Sequence, residues 1–111
     1  MTTILTKWNL RRNKAKGIKF DIGRLVTTCS VADQMDRDIW FASFVYQSFE
    51  HYILCDWGDT CEEDKRSNNY AVKHGERILA EYRDAEHEDW RIWIITEWDR
   101  SVTTILFPDE Y

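Results

Sequence analysis

The sequence predicts an α+β fold: an antiparallel sheet of three or four strands packed against one long helix and one shorter helix. Two segments carry helix signals, whereas residues that favour strands gather in the last third of the chain. Strands that cluster apart from helices are typical of α+β rather than α/β proteins. A chain of 111 residues is long enough to bury one core without disulfides or metals.

The first strand signal lies near the N-terminus. Residues 18–22 alternate between apolar and polar side chains, as a half-buried strand does, and Gly17 and Gly23 flank them. Residues 24–28 either continue or replace this strand. It is the candidate for the fourth strand of the sheet.

The strongest helix signal follows. Ser30 has the position of an N-cap, with Asp33 three residues later. This predicts one long amphipathic helix over about residues 31–54. Its apolar residues recur at helical spacing: Val31, Met35, Ile39, Trp40, Phe44, Val45, Phe49, Tyr52 and Ile53.

The shorter helix is predicted for about residues 60–74. Gly58 suits a turn, and Asp59 or Thr60 can cap the helix that follows. Residues 62–64 are carboxylates in its first turn, where they meet the positive end of the helix dipole. Gly75 is a helix stop.

The last third predicts a three-stranded antiparallel meander that carries the long helix on one face. Its strands are residues 77–82, 90–96 and 102–107, which are rich in β-forming side chains. An acidic turn at 84–89 joins the first two strands, and residues 98–101 join the last two as a hairpin.

Charge divides the chain into two parts. Residues 1–20 contain six basic residues and no acid, whereas residues 21–111 contain nine basic residues and all twenty acids, a net charge of 9 − 20 = −11. We predict a mobile basic arm at residues 1–19 and a single domain at residues 20–111. The acidic body favours partners with basic protein surfaces and repels nucleic acid.

The composition excludes some classes. The chain has no apolar run long enough to span a membrane and no signal-peptide pattern, and its three cysteines are an odd number. We therefore expect a cytoplasmic protein with reduced thiols and no membrane partner. The oligomeric state stays open.

The cysteines and histidines, which are the candidate metal ligands, do not have the spacing of a metal site. Two cysteines and two histidines, Cys55, Cys61, His51 and His74, could in principle form a zinc tetrahedron. They lack the closely paired ligands of structural zinc sites. We predict no metal and no cofactor.

The carboxylates between Asp56 and Asp64 have two interpretations. A metal-dependent hydrolase needs two or three carboxylates converging on Mg²⁺. Helix capping and the helix dipole explain the same residues without any chemistry. No glycine-rich phosphate loop and no recognisable nucleophile setting is present, so we predict a protein that is not an enzyme, with the hydrolase as an alternative.

The basic arm offers a second alternative. Trp8 beside Arg11 and Arg12, followed by Lys14 and Lys16, is typical of a stacking residue next to phosphate-binding groups. In this alternative the chain is a small accessory factor that binds nucleic acid through the arm.

Two stretches carry a family resemblance: CDWGDTCEEDKRSNN at residues 55–69 and IITEWDRSVTTILFP at residues 94–108. They resemble a family of small, mostly uncharacterised proteins of plasmids, conjugative elements and prophages of Gram-positive gut bacteria. The match covers about residues 23–111. The arm lies outside it, and Trp98 stands where the family has a smaller residue.

The resemblance implies an accessory protein of a mobile genetic element and brings no assigned reaction. Small acidic proteins of such elements often block host defence nucleases, as anti-CRISPR and antirestriction proteins do. Their carboxylates can take the place of DNA phosphates on a basic groove, which is consistent with the charge of this body.

These observations together predict a non-enzymatic inhibitor that binds a host defence protein with a basic surface, most concretely a CRISPR effector nuclease, with DNA mimicry as one mode of inhibition. Trp57, Trp98 or Trp90 would be exposed apolar anchors. We expect the two turns that carry these residues to lie at one end of the domain, and Arg100 has a second interpretation as a clamp on Asp99, Glu97 or Asp56. The predicted partner-binding residues are Asp56, Trp57, Asp59, Glu62, Glu63, Asp64, Glu97, Trp98, Asp99 and Arg100.

Overall fold

The computed structural model describes residues 2–4 and 18–111. The elements, in chain order, are β1 Thr2–Ile4, β2 Arg24–Thr28, α1 Cys29–Arg37, α2 Ile39–Ile53, α3 Glu62–His74, β3 Ile78–Arg83, β4 Arg91–Thr96, β5 Val102–Leu106 and a 3₁₀ turn Pro108–Glu110. The α+β class is confirmed. Most of the predicted basic arm, with Trp8, Arg11, Arg12, Lys14 and Lys16, lies outside the described residues.

The sheet has five strands in the order β1-β2-β5-β4-β3. The meander of β3, β4 and β5 is antiparallel, as predicted. However, β2 pairs with β5 in parallel, with Arg24 opposite Val102, and β1 pairs with β2 in antiparallel fashion. The sheet is therefore mixed, and the expectation of a purely antiparallel sheet is wrong. Parallel strands need a crossover, which here runs through the helices, β3 and β4.

The predicted long helix is two helices, because Asp38 ends one and begins the next. Its backbone N–H bonds to Gln34 O at the end of α1, while its side chain accepts hydrogen bonds from the N–H groups of Trp40 and Phe41. Aspartate is a strong N-cap and a weak helix interior residue. The cap of α1 is Thr28 rather than the predicted Ser30, since Thr28 Oγ1 accepts from Val31 N.

The shorter helix, α3, closely matches its prediction at both ends. Gly75 ends it with a φ of +67°, the left-handed conformation that glycine adopts most easily. Cys61 occupies the N-cap position without a side-chain cap, so the expectation that Asp59 or Thr60 caps this helix is wrong. Both residues bond to β3 instead.

The core lies between the sheet and the helices. Phe41, Val45 and Phe49 of α2 are fully buried with strand residues such as Ile94 and Ile105. Residues 18–22 form no strand, so β2 replaces the predicted one. No helix among the described residues is both long and apolar enough to cross a membrane.

A chain of buried hydroxyl groups crosses the core. The Tyr52 hydroxyl lies 2.7 Å from Thr96 Oγ1, which lies 2.7 Å from Thr103 Oγ1, and Thr103 donates to Ile22 O. Burial raises the pKa of the Tyr52 hydroxyl. The hydrogen bonds compensate the polar groups for their loss of water, so the chain ties α2, β4, β5 and the segment before β2 together.

Candidate partner-binding site

The loop before α3 is pinned to the end of β3. The Tyr82 hydroxyl donates to Asp56 O at 2.6 Å, and Asp59 N donates to Glu81 O at 2.9 Å. Gly58 lies against β3 with a φ of +61°, and a Cβ there would meet the Tyr82 ring at 2.4 Å. Only glycine fits this approach, so the loop is placed beside the turn that joins β3 to β4.

This packing creates an acidic end, which we define as residues 56–66 and 83–89. These two segments contain nine carboxylates and three cations, Lys65, Arg66 and Arg83. Two shallow depressions of about 250 and 260 Å³ lie there, and both are lined by Asp59 and Arg83. Asp64 of α3 lines the first depression, and Asp56 and Asp84 line the second. The acidic end therefore brings together carboxylates from the loop, the first turn of α3 and the start of the β3–β4 turn.

Two carboxylates of the acidic end lie within hydrogen-bond distance of histidine side chains. Asp56 lies 2.9 Å from His51 Nδ1 and Asp84 lies 2.8 Å from His87 Nδ1. The hydrogen bond from His87 holds the pKa of the Asp84 carboxyl below its ordinary value. Because an imidazole carries charge only when protonated, these pairs leave negative charge on the surface whenever the imidazoles are neutral.

Asp59 has a structural task at the edge of the sheet. β3 is an edge strand, and its outward backbone groups bond to side chains: Arg83 N to Asp59 Oδ2, Glu81 N to Thr60 Oγ1, and Leu79 N and O to Asn68. An unpaired edge would be a template for aggregation. Asp59 was predicted to bind a partner, but its carboxylate helps to cover the exposed edge of β3.

Glu81 shows how a carboxylate beside the acidic end is neutralised. Its side chain is only 13% exposed and accepts hydrogen bonds from Arg83, Arg91 and the indole of Trp93 at 2.6 to 2.9 Å. Burial acts to raise its pKa, but the three donors outweigh this effect and the pKa lies below its ordinary value. Glu81 thus adds little to the outward field.

Trp57 is not exposed, and that expectation is wrong. Its side chain is 3% exposed and packs between Phe20 and Tyr52, and its indole N–H donates to Asn69 Oδ1 at 2.8 Å. A buried tryptophan needs such a partner. Trp57 therefore anchors the loop to the core, and its ring is not accessible to a partner.

In the hairpin turn, residues 97–101, both carboxylates have partners within the described structure. Glu97 lies 3.6 Å from Arg77 Nε, and Asp99 Oδ1 accepts a hydrogen bond from Ser101 N. Hydrogen bonding to Ser101 lowers the pKa of Asp99. Trp98 lies between them in the sequence and is 67% exposed.

Arg100 clamps the end of α3. Its guanidinium donates to Ala71 O at 2.8 Å, Glu76 O at 2.6 Å and Glu97 O at 3.2 Å. Its own φ is +61°, which is strained for a residue with a side chain. The clamp alternative for Arg100 is therefore the observed one. Its partners are backbone carbonyls, however, and not the carboxylates of Asp99, Glu97 or Asp56.

The two predicted turns approach each other at Phe20, whose ring centroid lies 6.1 Å from that of Trp57 and 5.9 Å from the Arg100 guanidinium carbon. Glu62, Glu63 and Asp64 open α3, whereas Arg100 binds carbonyls at its C-terminal end. The 13 residues of α3 span about 20 Å at 1.5 Å per residue. The structure also brings Asp56 and Asp59 together with Asp84 of the β3–β4 turn, a turn whose carboxylates were not among the predicted site residues.

Two exposed apolar residues were also missed. Ile39 is 77% exposed and Trp40 is 74% exposed at the start of α2. The apolar period placed both on the buried face of one continuous helix. The available signal was Asp38, because an aspartate within an apolar period is also an N-cap signal. Trp90 is half-buried and stacks on His87 at 3.7 Å.

The cysteines and histidines do not gather around a metal. Cys61 and His74 lie at opposite ends of α3, too far apart to be ligands of one ion. Among the described residues, no three or more His, Cys, Asp or Glu side chains are placed to hold a metal ion. The three thiols are free, and burial raises the pKa of Cys55.

Comparisons with protein-family models, with curated proteins and with solved structures find no match to this chain. The family resemblance and the predicted partner class therefore stay predictions. Function has to be inferred from the residues and their geometry.

Proposed function

We propose that this chain is a non-enzymatic accessory protein of a mobile genetic element that binds and inhibits a host defence protein in the cytoplasm. A CRISPR effector nuclease is the most concrete target. In this proposal the acidic end occupies a cleft that otherwise holds DNA.

The observation that carries the proposal is the grouping of carboxylates in the acidic end. Nine carboxylates against three cations would be steered towards a cleft lined with lysine and arginine, and the attraction would weaken with salt. Glu63, Glu86 and Glu88 are all exposed. They supply negative charge without the structural tasks of Asp59 and Glu81.

The test is a DNA cleavage assay with a panel of purified CRISPR effector nucleases. The wild-type chain should inhibit at least one of them, less strongly as salt rises. The variant Glu63→Gln/Glu86→Gln/Glu88→Gln should weaken inhibition by about tenfold at low salt, because long-range steering depends on local charge.

A matched control changes the same number of charges elsewhere. The variant Asp33→Asn/Asp36→Asn/Glu76→Gln neutralises three exposed carboxylates outside the acidic end, so its net charge equals that of the first variant. The control should retain inhibition. Equal losses in both variants would contradict a localised site, and no inhibition of any nuclease by the wild type would rule out this target class.

A further inference from the structure

Trp40 lies at the start of α2, on the stripe of that helix that borders the acidic end. Its side chain is 74% exposed. At about 100° per residue, the stripe that contains Trp40 continues through Phe44, Gln47 and His51. These three residues line the depression of about 260 Å³ on its α2 side. Trp40 therefore lies one helical turn beyond the wall of this depression.

Carboxylates line the other sides of the same depression. Asp56 and Asp59 come from the loop before α3, and Asp84 comes from the β3–β4 turn. Among the described residues that line it, Arg83 is the one lysine or arginine. Three carboxylates against one guanidinium leave the depression negative whenever the imidazole of His51 is neutral.

Further aromatic rings connect the α2 wall to the β3–β4 turn. The Phe44 ring centroid lies 6.0 Å from that of Trp90, and Trp90 stacks on His87 at 3.7 Å. Trp90 also packs edge-on against Phe41, which fixes this row to the core. An exposed ring such as that of Trp40 beside carboxylates is suited to a planar cation. The ring attracts the charge through its π face, and carboxylates accept the N–H groups of basic side chains.

The backbone at Trp40 is fixed before any partner binds. Asp38 accepts hydrogen bonds from the N–H groups of Trp40 and Phe41 at 3.0 and 3.2 Å. The indole therefore stands on the first turn of a rigid helix, and its two χ angles are the freedom that it loses on binding. A large aromatic side chain held in this way is typical of the residues that contribute most to a protein interface.

We propose that Trp40 is the aromatic anchor of the acidic end and that it stacks on an arginine side chain of the partner protein. The carboxylates of the depression attract neighbouring basic side chains of the same partner. Arginine suits this surface better than lysine, because the planar guanidinium stacks on aromatic rings and binds carboxylates through two parallel hydrogen bonds. This assignment rests on the proposed function and deepens it, since it names the side chain of the partner that the surface receives.

A protein partner fits this surface better than a nucleic acid does. Single-stranded DNA can also stack on an exposed tryptophan. The nine carboxylates of the acidic end would repel its phosphates, however, because each phosphate carries a negative charge.

Binding of fluorescently labelled homopeptides to the full chain, followed by anisotropy at low salt, tests the anchor without a nuclease. An arginine homopeptide should bind more tightly than a lysine homopeptide of the same length. Trp40→Ala should raise the Kd of the arginine peptide by about fivefold, the size expected for a cation over an exposed ring. Trp40→Phe should recover part of this loss, and the lysine peptide should lose affinity by about twofold or less.

Two other exposed side chains provide matched controls. Ile39 is the neighbour of Trp40 and is 77% exposed, but it lies on a different side of the helix from the stripe. Trp98 is 67% exposed on the hairpin turn. Ile39→Ala and Trp98→Ala should both leave the Kd of the arginine peptide unchanged. Circular dichroism confirms that each variant is folded.

The outcomes distinguish a wrong anchor from a wrong target. If Trp40→Ala binds the arginine peptide as tightly as the wild type, or if Trp98→Ala loses as much affinity, Trp40 is not the anchor, even where a nuclease is inhibited. An equal loss for the lysine peptide contradicts the choice of arginine. A single-stranded oligonucleotide that binds more tightly than the arginine peptide, and loses its binding in Trp40→Ala, would overturn the choice of a protein partner. If peptide binding depends on Trp40 and no nuclease is inhibited, the anchor stands and the target class is wrong.

Discussion

The hairpin turn and the acidic end are both rich in carboxylates, yet they use them differently. In the hairpin turn, Glu97 is close to Arg77, Asp99 binds its own turn, and Arg100 fastens the turn to α3. In the acidic end, the ionic partners of Asp56 and Asp84 within residues 18–111 are imidazoles. Acidity in a sequence therefore does not identify a binding surface, because the local partners decide whether charge stabilises the fold or projects outward.

The largest effect should come from Arg100. Arg100→Ala removes three hydrogen bonds to backbone carbonyls and leaves a side chain at a φ of +61°. We expect the free energy of unfolding to fall by about 3 kcal/mol. Urea denaturation followed by circular dichroism measures it.

Arg100→Gly separates the two contributions of that position. Glycine adopts a positive φ freely, so this variant should be about 1 kcal/mol more stable than Arg100→Ala while still lacking the clamp. A loss below about 0.5 kcal/mol in both variants would show that the hairpin turn is no more structural than the acidic end.

Asp59 should give the next largest effect, since it is the structural carboxylate within the acidic end. Asp59→Ala removes the acceptor for Arg83 N and should cost about 1 kcal/mol in urea denaturation. Asp59→Asn keeps an acceptor oxygen and should cost less. Glu88→Ala, a charge change at an exposed position of the β3–β4 turn, is the control and should be nearly neutral; a cost equal to that of Asp59→Ala would argue against edge sealing.

The sequence predicts those parts of the fold that depend on local signals. Runs of β-forming residues correctly predict the meander, and Gly75 correctly predicts the end of α3. The parallel pairing of β2 with β5 could not be predicted, because its partner lies more than seventy residues away along the chain and no local pattern encodes such a contact.

The site was harder to predict than the fold for the same reason. Trp57 lies near acidic residues in the sequence, yet its ring is buried because it packs on Phe20 and Tyr52, while Asn69 accepts its N–H. The acidic end exists only because the loop and the β3–β4 turn meet in space. Charge counts identify an acidic body, whereas the contacts decide where that charge collects.

Glu81 should show an effect of similar size that depends on pH. Its pKa in the folded state is lowered, so its contribution is fully present above the unfolded pKa of about 4.3 and is lost as pH falls through the folded value. Glu81→Gln should therefore be about 1 kcal/mol less stable than the wild type near pH 7. The difference should shrink near pH 3, in paired urea titrations, and a difference independent of pH would contradict this role.

The smallest effect should come from the exposed carboxylates of the acidic end. Glu63→Gln/Glu86→Gln/Glu88→Gln relieves repulsion among like charges, while Glu63 also gives up its favourable position in the first turn of α3. These opposing effects should leave the free energy of unfolding within about 0.5 kcal/mol of the wild type. Comparing urea titrations at low and high salt checks this, because screening should shrink whatever difference remains. If the variant instead loses as much stability as Arg100→Ala, the carboxylates of the acidic end serve the fold and are not free for a partner.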